Sequence, residues 1–495
     1  MYYKGKKTLL SRHLSTKDLY FFAMSNILGP QIFIMLGGMV LLSGVMGIIS
    51  IIICGAICTM IAMIYAELGL SMPTTSLVID ATNDAFGGFA SFVVGWSQLF
   101  GNISFAAVSA LGFGLFIGKP LIGAFAIIIF LSILQLIGMN ELGKIENYLI
   151  LSIILFFLIL IFSNIANITY ISNISLDFTK LDNWKKIILG VSFFFLAFTG
   201  FEDVTSYSEE LKDVKKLPLV MFLAIITISV LFLLIYLLLI GGIQTGSDLA
   251  LNEPLVFLSQ TLFKGISGII IRIIGIFATI SSLMAVLNTS ARNVLSMSEK
   301  GFLPKMLFKV TKKGIPINAI LLSCVFSLTI VLSGSLDVLV YLANFIYFFI
   351  TIILSLSLMK LRKKREKLAR PFKIPFYKPF AWTTIGIMIL LTFFLNLKSL
   401  AFGFIWLFFG FILYVLRIVG EYRLKIAIIG ANIISSAFFV IILFALKEVE
   451  PVLFMKLRWV IIIGLIFFLI FSFLLVLDAI NDKKNSNIAI SNQSL

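Results

Sequence analysis

Two stretches of the chain place helix-breaking residues beside polar side chains within long apolar runs. The first, SNILGPQIF at 25–33, contains Pro30, which cannot donate a hydrogen bond to a helix. In the second, FFLAFTGFED at 194–203, Gly200 is followed by two acids. An interrupted helix is tolerated inside a membrane only where its freed backbone N–H and C=O groups face protein, water or a solute. The N-terminus of a half-helix also attracts anions such as a carboxylate. A lone kink is common in membrane helices, so it is the pair of breaks that predicts a solute site.

Residues suited to catalysis or metal binding are scarce. His13 is the only histidine and precedes the first apolar run, so no histidine-based catalytic or metal constellation is expected within the membrane. The three cysteines, Cys54, Cys58 and Cys324, lie in apolar runs and suggest neither a disulfide framework nor a metal site. We therefore expect a protein that is not an enzyme and carries no cofactor.

The elements that hold the two breaks are apolar helices. Of the 495 residues, 60% are hydrophobic and 13% are charged, and stretches long enough to cross a bilayer recur about fourteen times, which predicts an all-α integral membrane protein. The breaks fall in spans one and six, matching positions of two successive sets of five, as in inverted-repeat transporters. The predicted spans lie near 18–41, 45–66, 88–117, 121–139, 147–166, 187–208, 217–242, 267–298, 316–333, 336–359, 380–397, 400–417, 424–446 and 457–478.

The net charge of +16 is interpreted as membrane topology, with no nucleic-acid partner expected. With the N-terminus inside, about three quarters of the basic residues fall in inner loops, which predicts that both termini are cytoplasmic and that the protein is a multi-pass protein of the plasma membrane. An anionic-lipid or regulatory patch is the alternative interpretation of the densest basic cluster. That cluster consists of Lys360, Arg362, Lys363, Lys364, Arg365, Lys367 and Arg370.

The same features divide the chain into five parts. A cytoplasmic N-terminal segment (1–17) precedes ten predicted spans (18–359), which the resemblance described below implies to be a ten-helix transport core. The first span is interpreted as retained rather than as a cleaved signal. A basic cytoplasmic loop (360–379) leads to four additional transmembrane helices (380–478) and a cytoplasmic tail (479–495).

Six local motifs, in order, resemble the amino acid, polyamine and organocation transporter superfamily over about residues 14–379. Besides the glycine-rich break in span one, the strongest is FTGFED at 198–203, followed by EELK at 209–212. The others are YAEL at 65–68 with Pro73; AFG, GW and GNI at 85–87, 95–96 and 101–103; SAR at 290–292 with EKGFLP at 299–304 and GIP at 314–316; and RPFKIP at 370–375.

This resemblance implies a secondary active transporter, of the amino acid permease type, that works by alternating access with ion coupling or exchange. The implied fold is a leucine-transporter-type core of two inverted five-helix repeats with discontinuous helices 1 and 6, followed by four further helices. A bound amino acid would lie between spans one, three, six, eight and ten. The implied carboxylate side is lined by Asn26, Ile27, Gly29 and Pro30, the amino-group and side-chain side by Ala197, Phe198, Thr199 and Gly200, and Asn102 faces the substrate.

Three positions depart from the superfamily pattern. Gln31 stands where a second glycine is usual, so its amide either turns away or takes part in binding. Val286 stands where arginine exchangers have a tryptophan, which removes the ring on which a guanidinium would stack and favours neutral amino acids. Ser76-Leu77 replaces a glycine pair after the second span.

Coupling and gating residues are predicted from polar and aromatic side chains near the breaks. Span five lacks the lysine of proton-coupled relatives. Ser281 and Ser282 could bind Na⁺, although serines in membrane helices more often bond to neighbouring backbone. Both H⁺ and Na⁺ therefore stay open as coupling ions, and no metal site is firm. Glu202 is either a gating or proton-carrying group or a partner of free backbone N–H groups. Phe195, Phe198 and Phe201 could cap the pocket. Glu67, Glu209 and Glu210 could lock an inner gate through Arg292, Lys212 or Lys215, or form ordinary surface pairs.

Alternatives to a neutral amino acid transporter are a transporter of polyamines or other organic amines, and a non-transporting solute sensor or channel on the same scaffold. The expected partners are a small-molecule substrate and the lipid bilayer. Substrate identity, direction of flux and oligomeric state are not specified by the sequence.

Overall fold

A computed structural model of the chain describes residues 15–74, 76–137, 142–164, 177–207, 211–243, 254–311, 315–332 and 336–418. The elements in these residues are helices, which confirms the all-α prediction for this part of the chain. Seven of them are long and apolar enough to cross a membrane, so the chain is a multi-pass membrane protein. The predicted spans at 424–446 and 457–478, the tail, and most of the N-terminal segment lie outside the described residues.

Fifteen α-helices are assigned within the described residues. They are α1 (Thr16–Ile27), α2 (Gln31–Ser43), α3 (Gly47–Ser71), α4 (Leu77–Phe86), α5 (Gly88–Phe116), α6 (Pro120–Ile137), α7 (Leu142–Ser163), α8 (Leu181–Phe194), α9 (Leu217–Ile243), α10 (Pro254–Phe263), α11 (Ser267–Glu299), α12 (Ile317–Val331), α13 (Leu336–Lys364), α14 (Tyr377–Thr392) and α15 (Leu397–Ile418).

The first predicted span is interrupted where the sequence contains glycine and proline. A capping box starts α1, because the Ser15 hydroxyl accepts from the Asp18 backbone N–H and the Asp18 carboxylate accepts from Ser15 N at 2.9 Å. The helix ends at Ile27, and α2 begins at Gln31 after Pro30. Proline suits a helix start, where its missing N–H has no partner to lose, so the chain re-enters a helix directly after the break.

The sixth predicted span is interrupted at Gly200. After α8 the chain forms a 3-10 turn (Phe195–Phe198), an extended residue at Thr199, and a second 3-10 segment (Phe201–Tyr207). Gly200 has φ of 113°, a conformation that favours glycine. A Cβ placed there would lie 2.8 Å from Cβ of Asn26, so the two breaks approach each other closely at this point.

The helices around the breaks form one packed core. Helix α5 packs against α6, α11 and α13, while α3 packs against α8 and α9. Helix α1 contacts α7, α9, α11 and the second 3-10 segment of the sixth span. The interrupted segments are therefore enclosed by α3, α5, α11 and α13.

The basic segment after the core is partly helical, since α13 continues to Lys364, past its predicted end at 359. Its Arg362 forms a two-pronged ion pair with Glu67 at the end of α3, with N–O distances of 2.7 and 2.5 Å. Arg370 lies 3.7 Å from the same carboxylate, and Ile374 N donates to it at 2.8 Å. The prediction that paired Glu67 with Arg292, Lys212 or Lys215 is wrong, because folding brings the basic segment against α3.

Helix α15 docks on the core through a pair of tryptophans. The rings of Trp96 in α5 and Trp406 in α15 are parallel to within 9°, with centroids 4.4 Å apart. Each indole N–H donates to the backbone carbonyl of the other tryptophan at 3.0 Å. Helix α15 lies beyond the predicted ten-helix core. It therefore packs on α5 through two reciprocal hydrogen bonds.

Candidate functional site

A cavity with an empty volume of about 590 Å³ lies where the two interrupted segments meet. We call it the central cavity. Its walls come from α1, α3, α5, α11, α13 and the break of the sixth span. Thr199 and Gly200 reach it because the chain is not helical there, which exposes backbone as well as side chains.

Some of the predicted site residues line the central cavity and others do not. Those that line it are Asn26, Asn102, Thr199, Gly200, Glu202 and Val286. The structure places the remaining ones outside its lining: Ile27, Gly29, Pro30, Gln31, Phe195, Ala197, Phe198, Phe201, Ser281 and Ser282.

The three phenylalanines predicted to cap the pocket pack between helices instead. The Phe195 ring meets Phe348 in α13 at 5.0 Å between centroids, and Phe198 meets Phe232 in α9 at 5.3 Å. Phe201 is fully buried. None of these three rings lines the central cavity in this structure.

Two helix faces supply much of the lining. In α5 the predicted Asn102 is joined by Gln98, Gly101 and Phe105, which the sequence prediction missed. In α13 the lining residues, all of them missed, are Ala343, Ile346, Tyr347 and Ile350. Both sets follow the spacing i, i+3, i+4, i+7 of a single helix face. Given Asn102, that periodicity could have found its neighbours in α5. No comparable starting residue was available in α13.

Two backbone N–H groups of the sixth-span break, those of Thr199 and Gly200, are bonded within the break. Gly200 N donates to both carboxylate oxygens of Glu202, at 3.2 and 3.0 Å. The Leu196 carbonyl accepts from both the backbone N–H and the hydroxyl of Thr199, at 3.2 and 2.8 Å. Of the two predicted roles for Glu202, the geometry fits the partner of free backbone N–H groups.

Asp203 stands between the central cavity and a second cavity. The second cavity has an empty volume of about 370 Å³ and shares Tyr65, Gln98, Glu202 and Asp203 with the first. The Asp203 carboxylate receives long contacts from Asn26 Nδ2 at 3.4 Å and the Thr289 hydroxyl at 3.5 Å. Asp203 thus belongs to the wall that the two cavities share.

Gln31 points away from the central cavity. Its side chain is fully buried, and neither amide atom has a hydrogen-bond partner. A Cβ at Gly29 would collide with Gln31 Oε1 and with Ser282 Oγ, which is also unpartnered. The Ser281 hydroxyl lies 2.5 Å from that of Ser25. The Gln31 side chain, which stands where a second glycine is usual, therefore fills space between the first break and α11.

A membrane-embedded helical core with two facing breaks around a cavity defines a solute transporter of the permease class. The chain belongs to the amino acid permease family, whose model matches residues 14–416. This match confirms the resemblance to the amino acid, polyamine and organocation superfamily. The family and the relatives that the chain resembles are transport proteins and not enzymes.

Characterised relatives share about a quarter of their residues with the chain. The methylthioribose transporter of Bacillus subtilis (strain 168) is 26% identical over 411 residues, covering 75% of this chain and 86% of that protein. The branched-chain amino acid permease BcaP of the same organism is 24% identical over 451 residues, covering 83% and 94%. The aromatic amino acid transport protein AroP of Corynebacterium glutamicum is 26% identical over 384 residues, covering 72% and 83%.

Proposed function

We propose that this permease is a secondary active transporter that moves neutral amino acids across the plasma membrane by alternating access. The observation that carries the proposal is the central cavity, which lies between two interrupted helices and has both polar and apolar walls. A solute held between broken helices can be exposed to each side of the membrane in turn as the surrounding helices rock. The lining residues Asn26, Asn102, Thr199 and Gly200 are the proposed substrate contacts, and Ile27, Gly29, Pro30, Ala197 and Phe198 shape the breaks behind them.

The neutral preference rests on the lining of the cavity. Phe105, Val286, Ile346 and Ile350 offer apolar surface for a hydrocarbon side chain. No lysine or arginine is among the described residues that line the central cavity, so an acidic side chain on the substrate would find no counter-charge there. The names of the branched-chain and aromatic relatives point to the same substrate class.

The proposed architecture has fourteen spans, ten of them in a core of two inverted five-helix repeats. The interruptions in the first and sixth spans support this arrangement, since they fall at matching positions of the two sets of five. The proposed orientation places both termini in the cytoplasm. It is supported by exposed basic side chains at the end of α13, including Lys363, Lys364 and Arg365.

The proposed driving force is a gradient of H⁺ or Na⁺, or exchange against a second solute. Serine hydroxyls at 25, 281 and 282 and the amide of Gln31 form an oxygen-rich cluster between the first break and α11. Hydroxyl and amide oxygens are suitable ligands for a small hard cation, so this cluster is where Na⁺ binding is to be tested.

The test is uptake of radiolabelled L-leucine and L-phenylalanine into liposomes that contain the purified protein, with an imposed Na⁺ gradient, an imposed pH gradient, or internal unlabelled amino acid. Accumulation above the external concentration supports the proposal, and the condition that drives it names the coupling mode. Protein-free liposomes are the control. Equilibration without accumulation would indicate a channel, and binding without movement would indicate a sensor, either of which overturns active transport.

A further inference from the structure

The Asp203 carboxylate has acceptor capacity that the protein itself does not use. Its side chain is partly exposed and lines both cavities. Its only side-chain contacts in the described part of the chain are the two long ones to Asn26 and Thr289, both at the limit of a hydrogen bond. A carboxylate can accept about four hydrogen bonds, so most of its capacity faces open space.

The neighbouring acid is different. Both oxygens of Glu202 accept from Gly200 N, and the side chain is buried. Both acids line the two cavities, but the Glu202 carboxylate is bonded to the backbone of the break, whereas the Asp203 carboxylate receives only long contacts.

Two backbone carbonyls of the break, those of Leu196 and Gly200, are also occupied. The Leu196 carbonyl accepts twice from Thr199. The Gly200 carbonyl accepts from Asp203 N at 3.3 Å and from Asn26 Nδ2 at 3.4 Å. Asp203 therefore offers a cationic donor in the central cavity a charged acceptor that receives only long contacts from the described residues.

Within the described residues, no basic side chain forms an ion pair with Asp203. Arg292, which lines the second cavity, has its guanidinium 4.3 Å from the centre of the Tyr207 ring. A carboxylate held away from bulk water without a counter-charge carries a desolvation cost that a bound cation would offset. The geometry thus leaves a place for one positive charge on the solute.

We propose that Asp203 is a specificity-determining residue that binds the ammonium group of the transported solute. This inference rests on the proposed transport function and deepens it by assigning the substrate class: a primary ammonium compound with an apolar remainder. The ammonium group lies at the junction of the two cavities, and the remainder extends along Val286, Ile346 and Ile350. Cationic and dipolar solutes are admitted on this basis, and carboxylic acids without an amine are excluded.

The experiment measures the affinity of the purified full-length protein for three probes by ligand-induced thermal stabilisation: L-leucine, isopentylamine, which lacks the carboxylate, and 4-methylpentanoic acid, which lacks the amine. Asp203→Asn keeps the shape of the side chain and removes its charge. Asp182→Asn, a surface change at a side chain that is 68% exposed, is the matched control. The unliganded melting temperature of each variant reports whether it is folded.

The expected result is that the wild type binds L-leucine and isopentylamine but not the acid. Asp203→Asn should weaken the binding of both amines by about tenfold to a hundredfold, since a charge-assisted hydrogen bond is lost. Asp182→Asn should bind like the wild type, and Asp203→Glu should retain part of the affinity. If Asp203→Asn does not fold, Asp203→Ser takes its place in the same comparison.

The outcomes separate the two proposals. Equal L-leucine affinity in the wild type and Asp203→Asn would overturn the ammonium site and leave amino acid transport standing. Binding of isopentylamine but of no amino acid in a twenty-member panel would overturn the amino acid proposal and retain the ammonium site. Binding of 4-methylpentanoic acid as tightly as L-leucine would overturn the ammonium site, and binding of none of these compounds would overturn both proposals.

Discussion

At the scale of single residues, the clearest feature is the buried carboxylate of Glu67, which is paired with cationic and N–H groups. Glu67 has no exposed surface, and it is contacted by two arginines and a backbone N–H. Such a group stabilises the fold only while its partners are present, because an unpaired buried charge is strongly unfavourable. Sequence reasoning identified Glu67 as an ion-pairing residue and chose the wrong partners.

Glu67→Gln should lower the free energy of unfolding by about 3–5 kcal/mol, since the charge of Arg362 would be left without its partner in a largely buried site. The control is Asp84→Asn, which breaks a pair with Arg365, a side chain that is 46% exposed. That change should cost about 1 kcal/mol or less. Thermal unfolding in detergent measures both, and equal effects would contradict the importance of burial.

A second residue-scale prediction concerns Gly200. Alanine there would be strained at φ of 113° and would bring its Cβ to 2.8 Å from Asn26. We expect Gly200→Ala to abolish L-leucine binding while the protein remains folded, because the two breaks would be pushed apart. Gly386→Ala, at a glycine with no atom within 4 Å of an added Cβ, is the control. Unchanged affinity in Gly200→Ala would remove the substrate site from this position.

At the scale of elements, the helices differ in how they are held. The sixth-span break is held by bonds within itself and by the bond from Asn26 to the Gly200 carbonyl, whereas α15 depends on contacts with α5. Its Trp406 stacks on both Trp96 and Phe100, with the Phe100 centroid at 4.1 Å. Apolar contact alone does little to hold helices together in lipid, so packing and interhelical hydrogen bonds carry this interface.

Trp406→Ala should destabilise the docking of α15 by up to about 3–5 kcal/mol, because the large stacked ring and the hydrogen bond donated by its indole N–H are lost together, while the bond from Trp96 to the backbone carbonyl of residue 406 remains. Phe408→Ala, at a side chain two positions away that is 62% exposed, removes a ring of the same class from the lipid-facing side. We expect that variant to unfold within a few degrees of the wild type. Thermal unfolding of the two variants in detergent provides the comparison.

At the scale of the whole molecule, exposed basic side chains at helix ends allow each end to be assigned to one side of the membrane. Lys367 follows α13 and is exposed, while Lys180 precedes α8 and has a side chain that is 73% exposed. The proposed topology places Lys367 in the cytoplasm and Lys180 outside. The native cysteines in the described residues are all buried, which favours labelling at introduced ones.

A membrane-impermeant maleimide should therefore label Lys180→Cys in intact cells, and Lys367→Cys only after the cells are permeabilised. The unsubstituted protein is the control for labelling of Cys54, Cys58 and Cys324. The reverse pattern would invert the proposed orientation, and labelling of both positions from outside would contradict the odd number of spans proposed between Lys180 and Lys367.

The helical membrane class, the approximate limits of the long helices in the described residues and the positions of the two breaks follow from the sequence by itself, since hydropathy, glycine and proline act through the local backbone. Only the tertiary structure decided that Gln31 turns towards Ser282, that Phe198 packs against Phe232, and that Arg362 reaches Glu67. The reason is physical: which face of a helix meets a cavity, and which charge meets a carboxylate, depends on helices that are far apart in the chain. Asp203 shows the limit most plainly, because its neighbour Glu202 has the same chemistry in the sequence but only Glu202 is bonded to the Gly200 backbone N–H in the fold.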